Sequence, residues 1–409
     1  MTSPPIHAAL TQFPIVAGCL TVGGISIDRL ALRAGGTPFY VYDRKLILKR
    51  VARVRDALPT DISLHYAMKA NPMPAVVHHL ANLVDGIDVA SANELGVALD
   101  TGTVPKHISF AGPGKGRSEL IRALAAGVLI NVESPRELSL IETLARELGL
   151  TARVAIRVNP DFELKSSGMK MSGGPKQFGI DAEAVADILP GITAPLQFEG
   201  FQIFSGSQNL RADAICEAQT QAVTLAIRLS KHAPAPVRTL NIGGGFGIPY
   251  FPGEAPLELE TIGRHLSHLM PTIRDHFPAT EIVVELGRYL VGEAGLYVCR
   301  VLDRKVSRGQ VFLVTDGGLH HHLAASGNFG QVLRKNYPVV VATRMDETDR
   351  EIASVVGPLC TPLDLLADRM ELARADVGDL IAVYQSGAYG PTASPTGFLS
   401  HPAPAEMLV

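Results

Sequence analysis

Eight short runs rich in β-branched and aromatic residues alternate with longer amphipathic stretches from about residue 60 to residue 290, and that alternation restricts the fold more than any other feature. The runs are "SLHYAM" (63–68), "GIDVA" (86–90), "HISFA" (107–111), "VLINV" (128–132), "ARVAIRV" (152–158), "FEGFQIF" (198–204), "RTLNI" (238–242) and "EIVVEL" (281–286). Each reads as a strand. The stretches between them carry helix signals. "SANELGVALDTG" offers Ser91 as N-cap, Glu94 to complete a capping box and Gly102 to end the helix, and "SPRELSLIETLARELG" sets Ser134 before Pro135 at the first helical position. Eight β-then-α units in series point to a (β/α)8 TIM barrel rather than a doubly wound sheet, whose open edges usually go with fewer strands.

From Val291 onward the period changes. "LYVCRVLDRKVSRGQVFLVTDGG", "YPVVVATR", "REIASVVG" and "GDLIAVYQSGAYG" are strands separated by Gly, Asp and Asn turns, with one short helical candidate near residues 363–371. The early run "TPFYVYD" (37–43) also reads as a strand and is placed to join this mostly β second domain. The expected organisation is an N-terminal segment 1–44 joining the β domain, a barrel over 45–290 and a C-terminal β domain over 291–409. A chain of 409 residues exceeds the size at which a single core usually stops growing, which agrees with two domains.

With 46% apolar and 19% charged residues and a formal net charge of −3, the chain has no basic footprint for nucleic acid. The N-terminus lacks a basic region ahead of an apolar core, and no stretch of membrane-spanning length is free of polar residues, so a cytoplasmic protein with no membrane partner is expected. Cys19, Cys216, Cys299 and Cys360 are widely spaced and read as free thiols of a reducing compartment.

In such a barrel the chemistry sits where strands end. Lys69 ends the first run, "SGSQ" the sixth, "GGGFG" the seventh and "ELGR" the eighth. Singly these are a solvated lysine, a turn, a loop and an ion pair; together they describe one site. Gly243, Gly244 and Gly245 lack the Cβ atoms that would block close approach, so consecutive backbone N–H groups there suit a phosphate. The spacing is neither a P-loop nor a dinucleotide fingerprint. A phosphate and a lysine at one barrel mouth suit a ligand carrying both a phosphate and a carbonyl, and pyridoxal phosphate fits: its aldehyde condenses with a lysine amine. Glu285 beside the pyridine nitrogen would favour its protonated form and strengthen the ring as an electron sink.

"YAMKAN", "DVASANEL", "RVNP", "FSGSQ", "NIGGGFG", "ELGR", "GPLCTPLD" and "SGAYG" stand in the order and approximate spacing of the fold-type III, alanine-racemase-like, PLP-dependent decarboxylases, and the chain resembles that diaminopimelate and ornithine decarboxylase family over nearly its whole length. The wording of residues 157–181 and 315–339 looks nearest to the exosortase A system-associated decarboxylase branch, and more distantly to relatives acting on carrier-tethered amino acids. The resemblance implies a homodimer with shared active sites. It makes Lys69 the Schiff-base lysine and Glu285 the partner of the ring nitrogen. Ser207, Gly243, Gly244, Gly245 and Tyr389 become phosphate contacts, and Arg288 lies near phosphate and substrate carboxylate. Asp88, Glu94 and Arg157 surround lysine and ring. Cys360, entering from the partner subunit, would protonate the α-carbon after carbon dioxide leaves; on its own residues, a lone cysteine between Gly-Pro and Thr-Pro reads as a small buried hydrophobe.

Two positions depart from the family pattern. Phe204 stands where a histidine usually stacks on the ring, and it keeps the aromatic face without a proton or a charge. Thr361 replaces the acidic residue that binds a distal ammonium, a loss of about 1.5 to 3 kcal/mol in recognition, which argues against the usual free diamino substrates. His320, His321 and His322 have no metal-ligand spacing, and the resemblance implies that they lie at the active-site rim in contact with substrate. Residues 165–179 read as a polar loop, either a surface loop or a lid. The rival readings are an amino-acid racemase on the same fold, a non-catalytic PLP-binding protein, and a Schiff-base aldolase using Lys69 without a cofactor.

Overall fold

The computed structural model describes residues 5–162, 169–170 and 173–409. The chain separates into two compact units, one formed by 50–247 and 257–287, the other by 1–49, 248–256 and 288–409.

The first unit is a closed parallel barrel. Its strands are β1 (Ile62–Ala67), β2 (Gly86–Val89), β3 (Ile108–Phe110), β4 (Leu129–Val132), β5 (Ala152–Asn159), β6 (Leu196–Gln202), β7 (Thr239–Gly244) and β8 (Glu281–Leu286). They pair in sequence order, and β8 closes on β1 with Glu285 beside His65. All eight sequence runs are barrel strands, so the fold class is the expected one. Two of the strands, β2 and β4, are followed, after one intervening residue, by a serine that caps the next helix. Ser91 Oγ accepts Glu94 N–H at 3.2 Å and Ser134 Oγ accepts Glu137 N–H at 3.1 Å. In both caps the glutamate reaches one residue further back than in a capping box, to Ala90 N–H at 2.6 Å and to Glu133 N–H at 2.7 Å. The residue just after β2 and the one just after β4 are thereby tied to the helices that follow.

The second unit is mostly β. Phe39–Tyr42 pairs antiparallel with the long strand Gly295–Ser307 and parallel with Ala405–Leu408. Gly295–Ser307 continues to Leu380–Val383 on one side and Gln310–Thr315 on the other. Phe39, Val41, Leu296, Val298, Leu380 and Ala382 meet in its core. The helix expected near 363–371 is corrected: Leu365–Ala373 is a strand paired antiparallel with Arg350–Val356. Its Leu, Ala, Met and Glu residues favour a helix in isolation, but a facing strand satisfies the backbone and overrides that preference.

The placement of His320, His321 and His322 at a substrate rim is also corrected, because all three are buried inside this unit. His321 Nε2 donates to Pro402 O at 2.9 Å, and its Nδ1 accepts from Tyr297 OH at 3.2 Å. His322 Nδ1 accepts Ala325 N–H at 3.3 Å, and its Nε2 faces Ser386 Oγ at 2.9 Å. Each of these bonds uses a neutral ring, and burial accordingly pushes the three imidazoles down, to about 4 for His320 and His321 and about 3 for His322. The unfolded imidazoles keep the ordinary, higher pKa, so below about pH 6.5 the unfolded chain binds more protons and stability falls as pH falls toward 4. Each histidine contributes a slope of up to about 1.4 kcal/mol per pH unit in that window. Denaturant midpoints measured from pH 7 down to 4 should fall steeply, and His322→Gln should flatten the slope by up to one proton's share; a flat wild-type profile would contradict this account.

Candidate active site

Every barrel strand contributes one polar residue to a buried layer: His65, Asp88, Ser109, Asn131, Arg157, Gln202, Asn241 and Glu285, each less than a tenth exposed. Burial of eight polar side chains is tolerated only when they satisfy one another. On one side His65 Nδ1 donates to Asp88 Oδ1 at 3.1 Å, Ser109 Oγ donates to the same oxygen, and Asn131 Nδ2 donates to Ser109 Oγ at 3.4 Å. On the other, Gln202 Nε2 and Asn241 Nδ2 both donate to Glu285 Oε2 at 2.7 Å. Oε1 of Glu285 accepts no hydrogen bond among the described residues, so the carboxylate keeps one oxygen for a ligand. Burial and the nearby Asp88 push the Glu285 carboxyl above its ordinary range, while the Lys69 ammonium and the two amides pull the other way. A cation placed at Oε1 is what this group lacks.

Lys69 sits in a single 3₁₀ turn, Met68–Ala70, directly after β1. Its ammonium is exposed at the strand end, 5.7 Å from the centroid of the buried Phe204 ring, and its charge acts on both Glu285 and Glu94. Glu94 is half-buried, with its carboxyl raised by burial. Phe204 in turn lies against the glycine turn, where a Cβ on Gly243 would come within 3.3 Å of Phe204 Cα. Lysine, aromatic face, acid and glycines thus share one end of one barrel.

The glycine turn is built by close approach. A Cβ on Gly244 would lie 1.9 Å from Glu285 O, and one on Gly245 would lie 2.0 Å from Gly206 O, which seats the turn against Gly206–Ser207. Gly243 and Gly245 also take φ of +77° and +73°, a region that favours glycine. Gly243 N–H donates to Asn241 Oδ1 at 2.8 Å, so that donor serves the turn itself and not an anion. The loop expected over 165–179 lies partly outside the described residues; its Met169–Lys170 backbone pairs antiparallel with Gly206–Ser207.

Arg157 is anchored by a residue the sequence reading missed. Its Nη1 donates to Glu133 Oε1 at 2.6 Å and its guanidinium stacks 4.9 Å from the Phe178 ring centroid. Glu133 also accepts Gly112 N–H at 2.7 Å and Gly179 N–H at 2.9 Å, so one buried carboxylate ties together three barrel loops. Beside it the buried Lys115, its pKa lowered by burial, is held by Glu137 at 3.0 Å and by Asn131 O at 2.7 Å.

In the β unit, Arg288 lies 4.5 Å from the Tyr389 ring centroid and donates from Nη1 to Tyr250 OH at 2.8 Å. Tyr389 takes a positive φ of 54°, a conformation uncommon outside glycine. Tyr250, buried and unanticipated from the sequence, fixes the arginine from a segment interposed between barrel strands. Cys360 is exposed on the loop after Arg350–Val356, which corrects its reading as a buried small hydrophobe. Thr361 neighbours it, and the loop is pinned by buried Asp364, which accepts Leu319 N–H at 2.6 Å and Leu359 N–H at 2.8 Å.

An amine at a strand end, a flat aromatic face beside it, a buried acid with one open oxygen and a turn that tolerates no Cβ are the donor set that pyridoxal phosphate requires, and the residues fit it. Residues 44–292 match the family described as "Pyridoxal-dependent decarboxylase, pyridoxal binding domain". The chain belongs to that family. It is 41% identical to the L-glutamyl-[BtrI acyl-carrier protein] decarboxylase of Niallia circulans, covering 91% of this chain and 88% of that one. It is 33% identical to the diaminopimelate decarboxylase of Aquifex aeolicus, covering 96% and 91%. The crystal structure of diaminopimelate decarboxylase from M. jannaschii in complex with L-lysine is similar at a TM-score of 0.89 and 26% identity, covering 98% of this chain and 93% of that one. This decarboxylase is a carboxy-lyase that uses pyridoxal phosphate on an amino-acid substrate, which sets aside the cofactor-free aldolase and the non-catalytic binding protein. No helix among its described residues is long and apolar enough to cross a membrane.

Removing Arg157 leaves Glu133 buried without its ion-pair partner. Arg157→Met should cost about 3 to 5 kcal/mol of stability, and Arg157→Met with Glu133→Gln should recover a substantial part of it, as read by chemical denaturation of the cofactor-free protein.

Proposed function

We propose that this decarboxylase removes the α-carboxylate of an amino acid held on a carrier, in a homodimer whose subunits share active sites. The observation that carries the catalytic part is Glu285, buried, fixed by two amides through Oε2 and open at Oε1, at the same barrel end as the Lys69 amine. Lys69 binds the cofactor through its amine, and Phe204 packs on the ring. Ser207 and the Gly243–Gly245 turn, with Arg288 and Tyr389, would hold the phosphate, and Glu285 Oε1 would accept a hydrogen bond from the protonated ring nitrogen and so keep the proton there. Arg157, Asp88 and Glu94 set the charge around amine and ring. Pyridoxal phosphate, when bound, supplies the electron-withdrawing ring that accepts the electron pair of the broken Cα–carboxylate bond. Carbon dioxide leaves from Cα, and Cys360 of the partner subunit delivers the proton that replaces it. Its exposure on the isolated chain suits a thiol that serves a neighbour's site. Glu285, an acid facing the ring nitrogen, weighs against racemisation, for which a weaker electron sink suffices.

Two observations support a carrier-held substrate. A relative 41% identical to this chain carries a carrier-protein decarboxylase name, and Thr361, beside Cys360, offers no carboxylate to a free distal ammonium. The resemblance of residues 157–181 and 315–339 supports an enzyme of the exosortase A system-associated branch, and a cytoplasmic location is part of the same proposal.

The test is carbon dioxide release from free diaminopimelate, ornithine, lysine, arginine and glutamate against glutamate and other amino acids loaded as thioesters on a carrier protein. The carrier-bound form should be used at least about tenfold more efficiently, the lower end expected from a missing charge-assisted contact to a free ammonium. Equal turnover of a free diamino acid would overturn the substrate assignment. Lys69→Ala and Cys360→Ala subunits, each inactive alone, should regain about one quarter of wild-type activity when mixed, because random pairing restores one intact site in half the dimers. No recovery on mixing would refute the shared site.

A further inference from the structure

His65 stands four residues before Lys69 on β1 and faces into the barrel. It is the register partner of Glu285 on β8 and of Gly86 on β2, and its ring lies so close to Gly86 that a Cβ there would sit 2.5 Å from Nε2. Its Nδ1 donates to Asp88 Oδ1 at 3.1 Å. His65 Nε2 and Asp88 Oδ2 are both buried and without a partner. Two carboxylates, Asp88 from β2 and Glu285 from β8, therefore face the imidazole, with Glu281 further down β8. Lys69 lies beyond the end of its own strand; His107 approaches only through its backbone oxygen, and Ser109, Asn131, Gln202 and Asn241 in the same layer are neutral.

Two buried carboxylates in one layer do not both ionise without a compensating cation. Lys69 lies exposed in the turn beyond the layer and forms no ion pair with either acid among the described residues. We propose that His65 is the fixed counter-cation of the layer, a positioning residue that keeps Asp88 ionised and thereby lets Glu285 present a carboxylate to the ring nitrogen of bound pyridoxal phosphate. The second half of this inference rests on the function proposed above. Burial alone lowers the His65 pKa, but Asp88, then Glu281 and Glu285, outweigh it and raise it above the ordinary value. The coupling is mutual, so loss of the imidazolium pushes a proton onto one of the two acids.

Nitrogen NMR of histidine-labelled protein, with the His65 signal assigned by its loss in His65→Gln, reads the charge directly in cofactor-free and cofactor-loaded protein. The expected result is an imidazolium that persists near pH 7, where an ordinary histidine is mostly neutral; a neutral ring in the cofactor-free protein overturns the inference. In the loaded enzyme, His65→Gln should shift the midpoint of the pH-dependent cofactor absorbance by about one unit or more. The charge-balanced His65→Gln/Asp88→Asn double variant should bring it back toward wild type. An unmoved midpoint, or a double variant no closer to wild type than the single one, overturns the link to Glu285. Should His65→Gln fail to fold, sequential backbone assignment identifies the His65 signal and the wild-type NMR measurement still decides. Failure to bind pyridoxal phosphate would defeat the proposed function and leave the cofactor-free NMR result standing, whereas a neutral His65 in an active decarboxylase would defeat this inference alone.

Discussion

The barrel is organised around a conflict between burial and charge. Its interior holds Asp88 and Glu285, and ionised carboxylates taken out of water cost several kcal/mol each unless hydrogen bonds and opposite charge compensate them. The other members of the layer are that compensation: Gln202 and Asn241 on Glu285 Oε2, and His65 and Ser109 on Asp88 Oδ1. Strand closure makes the compensation possible, since β8 pairing with β1 sets Glu285 beside His65 and β6 pairing with β7 sets Gln202 beside Asn241. A sheet left open between β8 and β1 would separate the acid from the only imidazole in the layer. Topology and site chemistry are therefore one constraint, and a substitution that disturbs closure disturbs the charge state as well.

The legibility of the molecule from its sequence follows the same division. Strand runs were readable because burial on both faces makes them short, apolar and bounded by caps, and all eight became barrel strands. The polar layer was present in those same runs, one inward-facing residue in each from His65 to Glu285, yet only Asp88, Arg157 and Glu285 were singled out. The signal that finds the others is the recurrence itself: a polar residue at the matching inward-facing register position of every strand is what a shared interior layer requires. Glu133 was not legible, because its importance lies in three loops converging on one carboxylate, and nothing local in "NVESPREL" reports that convergence. The histidine triplet misled for the opposite reason. The resemblance put it at the rim, whereas Tyr40 and Tyr297 enclose it, with Tyr40 OH donating to His321 O at 2.8 Å.

Division into two units also separates two kinds of requirement. The barrel side demands fixed geometry: the Gly244 Cβ position is occupied by Glu285 O, so even a methyl group is excluded. The loop bearing Cys360 and Thr361 is exposed, yet Asp364 holds its base with two backbone hydrogen bonds. An exposed side chain on a pinned loop can change its partner without loosening the fold, which is the property expected where relatives differ in substrate. The departure at Thr361 lies in that loop, and the departure at Phe204 lies beside the glycine turn of the barrel.

Phe204 and His65 are best understood together. Where the family pattern has a histidine, this chain has Phe204, an aromatic face that stays neutral at every pH. The imidazole of this barrel end lies instead one layer below, beside Asp88, and out of reach of solvent. Moving the charge inward changes what it acts on. A cation on the ring face tunes the cofactor directly and follows bulk pH, whereas a buried one acts through the acids and is held by them. With Lys69 5.7 Å from an uncharged ring and His65 bonded to Asp88, the proposed function makes Glu285 the group that acts on the ring nitrogen, and its two amide donors decide how firmly that carboxylate is aimed.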